Sequence, residues 1–140
     1  MYNEIVENIF IGDKEDAAKM LKFPENTDEL VFVINVREEY KIKGAINISI
    51  IKKKLFGDYI IDWNAVMRIT RKMEKIRMEH PHSLILVACG MGMERSVLIV
   101  QYYLMRYMNM GSDDAFNLIK SKRVGAIRHD LDSIFEGKVK

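Results

Sequence analysis

Two short apolar runs constrain the fold of this chain most. Residues 30–36 read LVFVINV, a β-branched run that is apolar apart from Asn35, and residues 83–88 read SLILVA. A strand that is apolar on both sides is covered on both faces, which is typical of a parallel sheet between layers of helices. Between these runs, residues 62–80 carry apolar side chains at helical spacing. Residues 96–110 are apolar on most sides and end before Gly111, which predicts a buried helix. The sequence therefore predicts an α/β fold with a central, mostly parallel sheet flanked by helices on both faces.

Four further elements complete the predicted order. Residues 5–12 predict one strand that ends at Gly12, and residues 44–51 predict another. Residues 13–21 predict a short helix capped by Asp13, and residues 112–124 predict a helix in which Ser112 is a candidate N-cap.

Length and composition bound the kind of protein. We expect the 140 residues to form a single domain, 1–140, because this length supports one core. A net charge of +2 is too small to indicate bulk nucleic-acid binding. One cysteine rules out an intrachain disulfide, and the first ten residues do not resemble a signal peptide. The apolar runs fall short of a membrane span. The lone cysteine fits a reducing cytosol, and we expect a cytoplasmic protein.

The segment CGMGMERS, residues 89–96, joins the second apolar run to the helix that follows it. Gly90 and Gly92 let the backbone turn tightly, so that several N–H groups point inward. Arg95 offers two donors to one phosphate, and the helix that Ser96 opens adds positive charge at its N-terminus. The same field stabilises the thiolate of Cys89, which makes this residue a candidate nucleophile. The predicted phosphate-binding loop comprises Gly90, Met91, Gly92, Met93, Glu94 and Arg95.

The spacing of Cys89, Gly92, Arg95 and Ser96 resembles the signature of the protein tyrosine phosphatases. The flanking segments, residues 6–17 and 95–123, look most like the small dual-specificity phosphatases. This resemblance implies a phosphatase that hydrolyses phosphotyrosine through a cysteinyl phosphate. It leaves open whether phosphoserine and phosphothreonine are substrates as well. It implies no metal and no organic cofactor.

The resemblance also implies roles for an aspartate and a serine. In that family an aspartate roughly thirty residues before the cysteine protonates the leaving oxygen, and here Asp58 is preferred over Asp62. Asp62 directly precedes the helical pattern, where a helix N-cap is the alternative interpretation. Ser96 matches the family's serine that hydrogen-bonds the thiolate as it leaves the phosphoenzyme.

Two residues depart from the family pattern. Ala88 stands where the family usually has a histidine, which predicts a weaker thiolate. The carboxylate of Glu94 either points away from the phosphate cup or disfavours acidic substrates, and the sequence leaves both open.

Two alternatives to the enzyme remain. One is a phosphate-binding module with weak or no turnover. The other is a rhodanese-like sulfur transferase or phosphatase, because residues 34–50, INVREEYKIKGAINISI, resemble that family.

The expected partner of the enzyme is a phosphorylated protein. Lys52, Lys53 and Lys54 either attract it or form a solvated edge. An RNA 5′ end or a phosphoinositide stays open as a substrate, and we expect a monomer.

Overall fold

The computed structural model describes residues 2–22, 30–37, 41–55, 58–129 and 131, without the side chains of 53–55, 58 and 59. In the described part, seven strands and four helices follow one another along the chain. Their bounds are β1 Asn3–Val6, β2 Ile9–Gly12, α1 Lys14–Lys22, β3 Val31–Asn35, β4 Ile46–Asn47, β5 Ile51–Leu55, β6 Asp58–Ile61, α2 Trp63–Glu79, β7 Leu84–Ala88, α3 Arg95–Tyr107 and α4 Ser112–Lys122.

Five strands form the central sheet in the order β1-β2-β7-β3-β4. The pairs β2·β7, β7·β3 and β3·β4 are parallel, and only β1 runs antiparallel to its neighbour β2. The predicted mostly parallel sheet is therefore confirmed. Strands β5 and β6 form a separate antiparallel pair.

The two faces of β7 belong to two apolar layers, because successive strand residues point to opposite faces of a sheet. Ile85 and Val87 pack in the larger cluster, which includes buried residues of α2, α3 and α4. Leu86 and Ala88 pack in the smaller cluster with Ala17 and other residues of α1. Helices therefore cover both faces of the sheet, which explains why residues 84–88 are apolar at every position.

Three predicted elements differ in the structure. Residues 5–12 form a hairpin and not one strand, because Asn8 adopts a left-handed conformation with φ of 68° and reverses the chain. The predicted strand 44–51 is reduced to the two residues Ile46–Asn47, and β5 begins at Ile51. Helix α4 has Gly111 at its N-cap position, whereas the Ser112 hydroxyl accepts a hydrogen bond from Gln101 at 3.4 Å.

Asp13 caps helix α1, as the sequence predicts. Its Oδ1 accepts a hydrogen bond from the Asp16 backbone N–H at 2.8 Å, and Asp16 Oδ2 accepts one from the Asp13 N–H at 2.9 Å. This reciprocal pair satisfies two donors that the first turn of a helix leaves unpaired.

The strand register brings three segment ends together. Gly12 of β2 and Asn35 of β3 both lie opposite Ala88 of β7. The residues that follow each strand therefore meet at one edge of the sheet, where parallel α/β folds place their ligands. In the part of the chain described, no helix has both the length and the apolar character needed to cross a membrane.

Candidate active site

Residues 89–96 form the loop between β7 and α3. Gly92 adopts φ of 68°, and a Cβ there would lie 2.5 Å from the carbonyl oxygen of Gly12. Only glycine fits such a position without strain, because both the backbone conformation and the close approach exclude a side chain. Arg95 is the first residue of α3, so the loop ends at the positive end of that helix.

The thiol of Cys89 is buried at the base of this loop. Its Sγ lies 3.2 Å from the hydroxyl oxygen of Ser96. Burial raises the pKa of the Cys89 thiol, but hydrogen bonds from the Ser96 hydroxyl and from the backbone N–H groups of Ser96, Glu94 and Gly92 oppose burial and lower this pKa overall. The loop therefore favours the thiolate.

A cavity of about 260 Å³ opens above the thiol. Its lining combines residues of the loop, Arg95 among them, with two residues from other parts of the chain. The lining residues are Arg37, Cys89, Gly90, Met91, Met93, Glu94, Arg95 and Ile127. A thiolate below and a guanidinium beside it suit a tetrahedral anion.

Of the residues that the sequence predicts for the site, the structure brings most together. The lining of the cavity includes five of the six predicted loop residues, whereas Gly92 forms the turn beside it. Ser96 lies below the cavity, against the thiol.

The two candidate acids differ in what the structure describes. Asp62 is the N-cap of α2, and its Oδ1 accepts a hydrogen bond from the Ala65 N–H at 3.2 Å. The helix-cap interpretation of Asp62 is therefore confirmed. Asp58 begins β6 opposite Leu55, but its side chain lies outside the part that the structure describes. Its role as the general acid stays a prediction.

Arg123, which the sequence analysis did not select, holds the loop from outside. It follows α4, and its Nε donates to the Gly92 carbonyl at 2.6 Å while its Nη2 donates to the Met91 carbonyl at 3.1 Å. A peptide unit whose carbonyl points outward directs its N–H to the opposite side. Arg123 therefore helps to turn the loop amides toward the cavity.

His129, to which the sequence analysis gave no role, lies on the far side of the same loop. Its Nε2 is 2.9 Å from the carbonyl oxygen of Glu94, which can only accept, so the ring proton is on Nε2. Burial lowers the pKa of His129 despite the opposing effect of the Glu94 carbonyl and carboxylate. Neutral His129 thus supports the loop, whereas Ala88, at the position of the usual histidine, is packed in the small apolar cluster against α1.

Arg37 is the third residue that the sequence analysis missed. It comes two residues after the end of β3, and its side chain lies against Gly90 in the wall of the cavity. The signal was its position beyond the end of a buried strand. Arg123 and His129 had no comparable local signal, because they reach the loop only through the path of the chain after α4.

Comparison with solved structures gives close matches of the fold. Human DUSP28 superimposes with a TM-score of 0.71 at 19% identity, covering 92% of this chain and 85% of that chain. DUSP15 gives a TM-score of 0.72 at 18% identity, with 92% and 80% covered. PTPMT1 in complex with PI(5)P gives 0.69 at 17% identity, with 92% and 87% covered. At these identities the likeness shows the fold alone.

Comparison of the sequence with curated proteins gives no significant match. The family model described as dual specificity phosphatase, catalytic domain, matches residues 9–136, which is far more than half of the chain. That match includes the loop around Cys89 and also the helix and arginine that support it. We conclude that the chain belongs to the dual specificity phosphatase family.

Proposed function

We propose that this phosphatase domain hydrolyses phosphotyrosine, and also phosphoserine or phosphothreonine, through a cysteinyl-phosphate intermediate. The observation that carries the proposal is the environment of Cys89. Its sulfur accepts hydrogen bonds from one hydroxyl and three backbone N–H groups, and the cavity above it is lined by Arg95. A lowered thiol pKa supplies the nucleophile. Arg95 and the loop amides supply positive charge where the equatorial phosphoryl oxygens would lie.

The proposed reaction has two displacement steps. In the first, the Cys89 thiolate attacks phosphorus, an S–P bond forms and the P–O bond to the substrate breaks as Asp58 gives its proton to the leaving oxygen. In the second, water attacks phosphorus, gives a proton to Asp58 and releases inorganic phosphate and the thiolate. The Ser96 hydroxyl, at 3.2 Å from Sγ, stabilises the thiolate as it departs.

The second candidate function is phosphate binding with little turnover. Two observations favour it: Ala88 replaces the usual histidine, and the Glu94 carboxyl belongs to a residue that lines the anion cavity. A phosphorylated protein is the substrate that we propose. A phosphoinositide is the alternative, because PTPMT1, one of the structural neighbours, was solved in complex with PI(5)P.

The experiment that separates the two functions measures turnover and binding in parallel. The wild-type protein should hydrolyse p-nitrophenyl phosphate without added metal, orthovanadate should inhibit it, and rapid acid quench should trap a phosphocysteine. Cys89→Ser should abolish turnover and keep phosphopeptide binding, measured by calorimetry. A fully active serine variant or a metal requirement would refute the mechanism. Binding without turnover in the wild type would establish the phosphate-binding module.

A further inference from the structure

The parallel register of the sheet fixes where Arg37 lies. Asn35, at the end of β3, is opposite Ala88, at the end of β7. Two residues further along each strand, Arg37 comes to lie beside Gly90. A Cβ on Gly90 would lie 2.0 Å from Nη1 of Arg37 and 2.9 Å from its Cζ. The absence of a side chain at Gly90 therefore provides the space that the guanidinium occupies.

Hydrogen bonds to the sheet anchor the backbone of Arg37. Its N–H donates to the Oδ1 of Asn35 at 3.2 Å, and the preceding Val36 N–H donates to the Ala88 carbonyl at 3.0 Å. Asn35 is completely buried and in turn donates from Nδ2 to Asn47 Oδ1 at 2.8 Å. These bonds fix the Cα of Arg37 at the edge of the cavity, and the space above Gly90 receives its guanidinium.

Among the residues that the structure describes, two arginines and one glutamate line the cavity, at different places along the loop. Arg37 stands at the Gly90 side, whereas Glu94 and Arg95 come at the end of the loop, where α3 begins. A cavity of about 260 Å³ is also larger than the phosphoryl group that Arg95 and the loop amides would bind. The Gly90 side thus carries a second arginine beside the space that one phosphoryl group would fill.

We propose that Arg37 binds a second anionic group of the substrate, a carboxylate or a phosphoryl group, next to the phosphoryl group that Cys89 attacks. This proposal rests on the proposed phosphatase function and assigns a substrate preference to it. Arg37 is then a specificity-determining residue, whereas Arg95 serves every substrate.

The test compares matched substrates on matched variants. Phenyl phosphates that carry a carboxylate or a neutral carboxamide, at the 3- or the 4-position, have nearly the same shape and differ in charge. Wild-type kcat/KM should be higher for the carboxylate than for the carboxamide by about fivefold in at least one isomer pair, as expected for a partly exposed ion pair. Arg37→Gln should remove this preference, so that kcat/KM falls about fivefold more for the carboxylate than for the carboxamide.

Two controls locate the effect at Arg37. Arg68→Gln removes an exposed arginine of α2 and should leave the preference intact. Arg37→Lys should retain part of the preference for the carboxylate, because a lysine keeps the charge but not the planar fork.

A 3-phosphonomethyl phenyl phosphate distinguishes the two sources of the anion. If the wild type prefers it to the carboxylate, Arg37 recognises a second phosphoryl group. If the wild type hydrolyses both equally well, Arg37 recognises any anion.

The proposal would be overturned if the ratio of kcat/KM for the carboxylate to that for the carboxamide were the same in wild type and in Arg37→Gln, for both isomer pairs. An equal loss on both substrates would overturn it as well, since Arg37 would then act on the reacting phosphoryl group or on the loop itself. If the wild type hydrolysed neither compound, the proposed function would fail separately. Calorimetric binding of the same pairs to Cys89→Ser, with and without Arg37→Gln, would then decide the role of Arg37.

Discussion

The reactivity of Cys89 depends on two opposing physical effects at a single atom. Burial disfavours the charged thiolate, whereas hydrogen bonds to the sulfur favour it, and the bonds prevail. Among those bonds, the one from the Ser96 hydroxyl lowers the pKa most. The family's usual histidine is absent at position 88, so this small set of donors carries the activation of the thiol.

Ser96→Ala should therefore raise the pKa of Cys89. Loss of one hydrogen bond to a charged group corresponds to about 1.5 to 3 kcal/mol, or roughly a tenfold to hundredfold smaller ionisation constant of the thiol. The pH profile of Cys89 alkylation by iodoacetamide should move to higher pH, and kcat/KM at neutral pH should fall by about tenfold or more. Ser121→Ala, which removes an exposed hydroxyl bonded to Leu118 in α4, is the control. An unchanged alkylation profile in Ser96→Ala would contradict the assignment.

Asp58 and Asp62 should respond differently to the same substitution. Asp58→Asn removes the proposed acid, so kcat/KM for phosphotyrosine, which has a poor leaving group, should fall by roughly a hundredfold or more. The loss should be smaller for p-nitrophenyl phosphate, whose leaving group needs little protonation. Asp62→Asn keeps a good N-cap on α2 and should change the free energy of unfolding by less than about 1 kcal/mol, with little effect on turnover. If Asp62→Asn lost turnover and Asp58→Asn did not, Asp62 would be the general acid and the assignment of Asp58 would be wrong.

At the scale of elements, helices α2 and α3 are joined by a polar contact within an apolar interface. The Tyr103 hydroxyl donates to Glu74 Oε1 at 2.7 Å and accepts from Arg77 Nη1 at 2.9 Å. Burial, followed by the bond to Glu74, raises the pKa of Tyr103 to about 12. This pair of bonds fixes α3, whose first residue is Arg95, against α2.

The raised pKa of Tyr103 predicts how this contact depends on pH. In the unfolded chain the Tyr103 hydroxyl loses its proton near pH 10, whereas in the folded protein it keeps the proton up to a pH of about 12. The folded state binds more protons in that window, so stability is fully present below about pH 10 and is lost as pH rises toward 12. Urea unfolding should show wild type more stable than Tyr103→Phe by about 1 to 2 kcal/mol at pH 8, with a smaller difference at pH 11. A difference that grows with pH would refute this account.

The sequence predicts elements well where one local pattern decides them. Helix α2 repeats its apolar residues at helical spacing over 17 residues, and β7 is apolar on both faces, so both appear where expected. The hairpin of residues 3–12 was missed because its turn comprises only Glu7 and Asn8, a short break in the apolar pattern, and depends on the left-handed backbone of Asn8. Residues 44–51 look like one strand, yet pairing with β3 extends only over Ile46–Asn47.

At the scale of the whole molecule, the sequence predicts the part of the site that is contiguous. Cys89, Arg95 and Ser96 lie in one loop whose spacing is visible in the chain. Arg37 reaches the loop through strand register, and Arg123 and His129 reach it through the return of the chain after α4. Such contacts depend on how distant elements pack, which no local pattern of residues encodes.

Arg123 connects more parts of the molecule than its position after α4 suggests. Besides the carbonyls of Met91 and Gly92, its Nη1 donates to Asn3 Oδ1 at 2.7 Å and contacts the Ile11 carbonyl at 3.4 Å. One guanidinium thus links the end of α4 to β1, to β2 and to the phosphate-binding loop. Removal of the Arg123 guanidinium should therefore change both the free energy of unfolding and the pKa of the Cys89 thiol.

Arg123→Met keeps much of the side-chain volume and removes every donor. It should lower the free energy of unfolding by about 2 to 3 kcal/mol, because the partly buried carbonyls of Gly92 and Ile11 and the side chain of Asn3 lose a charged partner. Below the melting temperature, the freed loop should also raise the pKa of Cys89 and weaken vanadate inhibition, since its amides no longer all face the cavity. Arg128→Met is the matched control. Arg128 also follows α4, but its side chain contacts Asp113 and the Phe116 ring of that helix and not the phosphate-binding loop. Thermal unfolding, iodoacetamide alkylation against pH and vanadate inhibition measured on both variants would test this. If Arg123→Met lost stability but kept the alkylation profile and vanadate affinity of the wild type, Arg123 would support the fold alone and would not orient the loop.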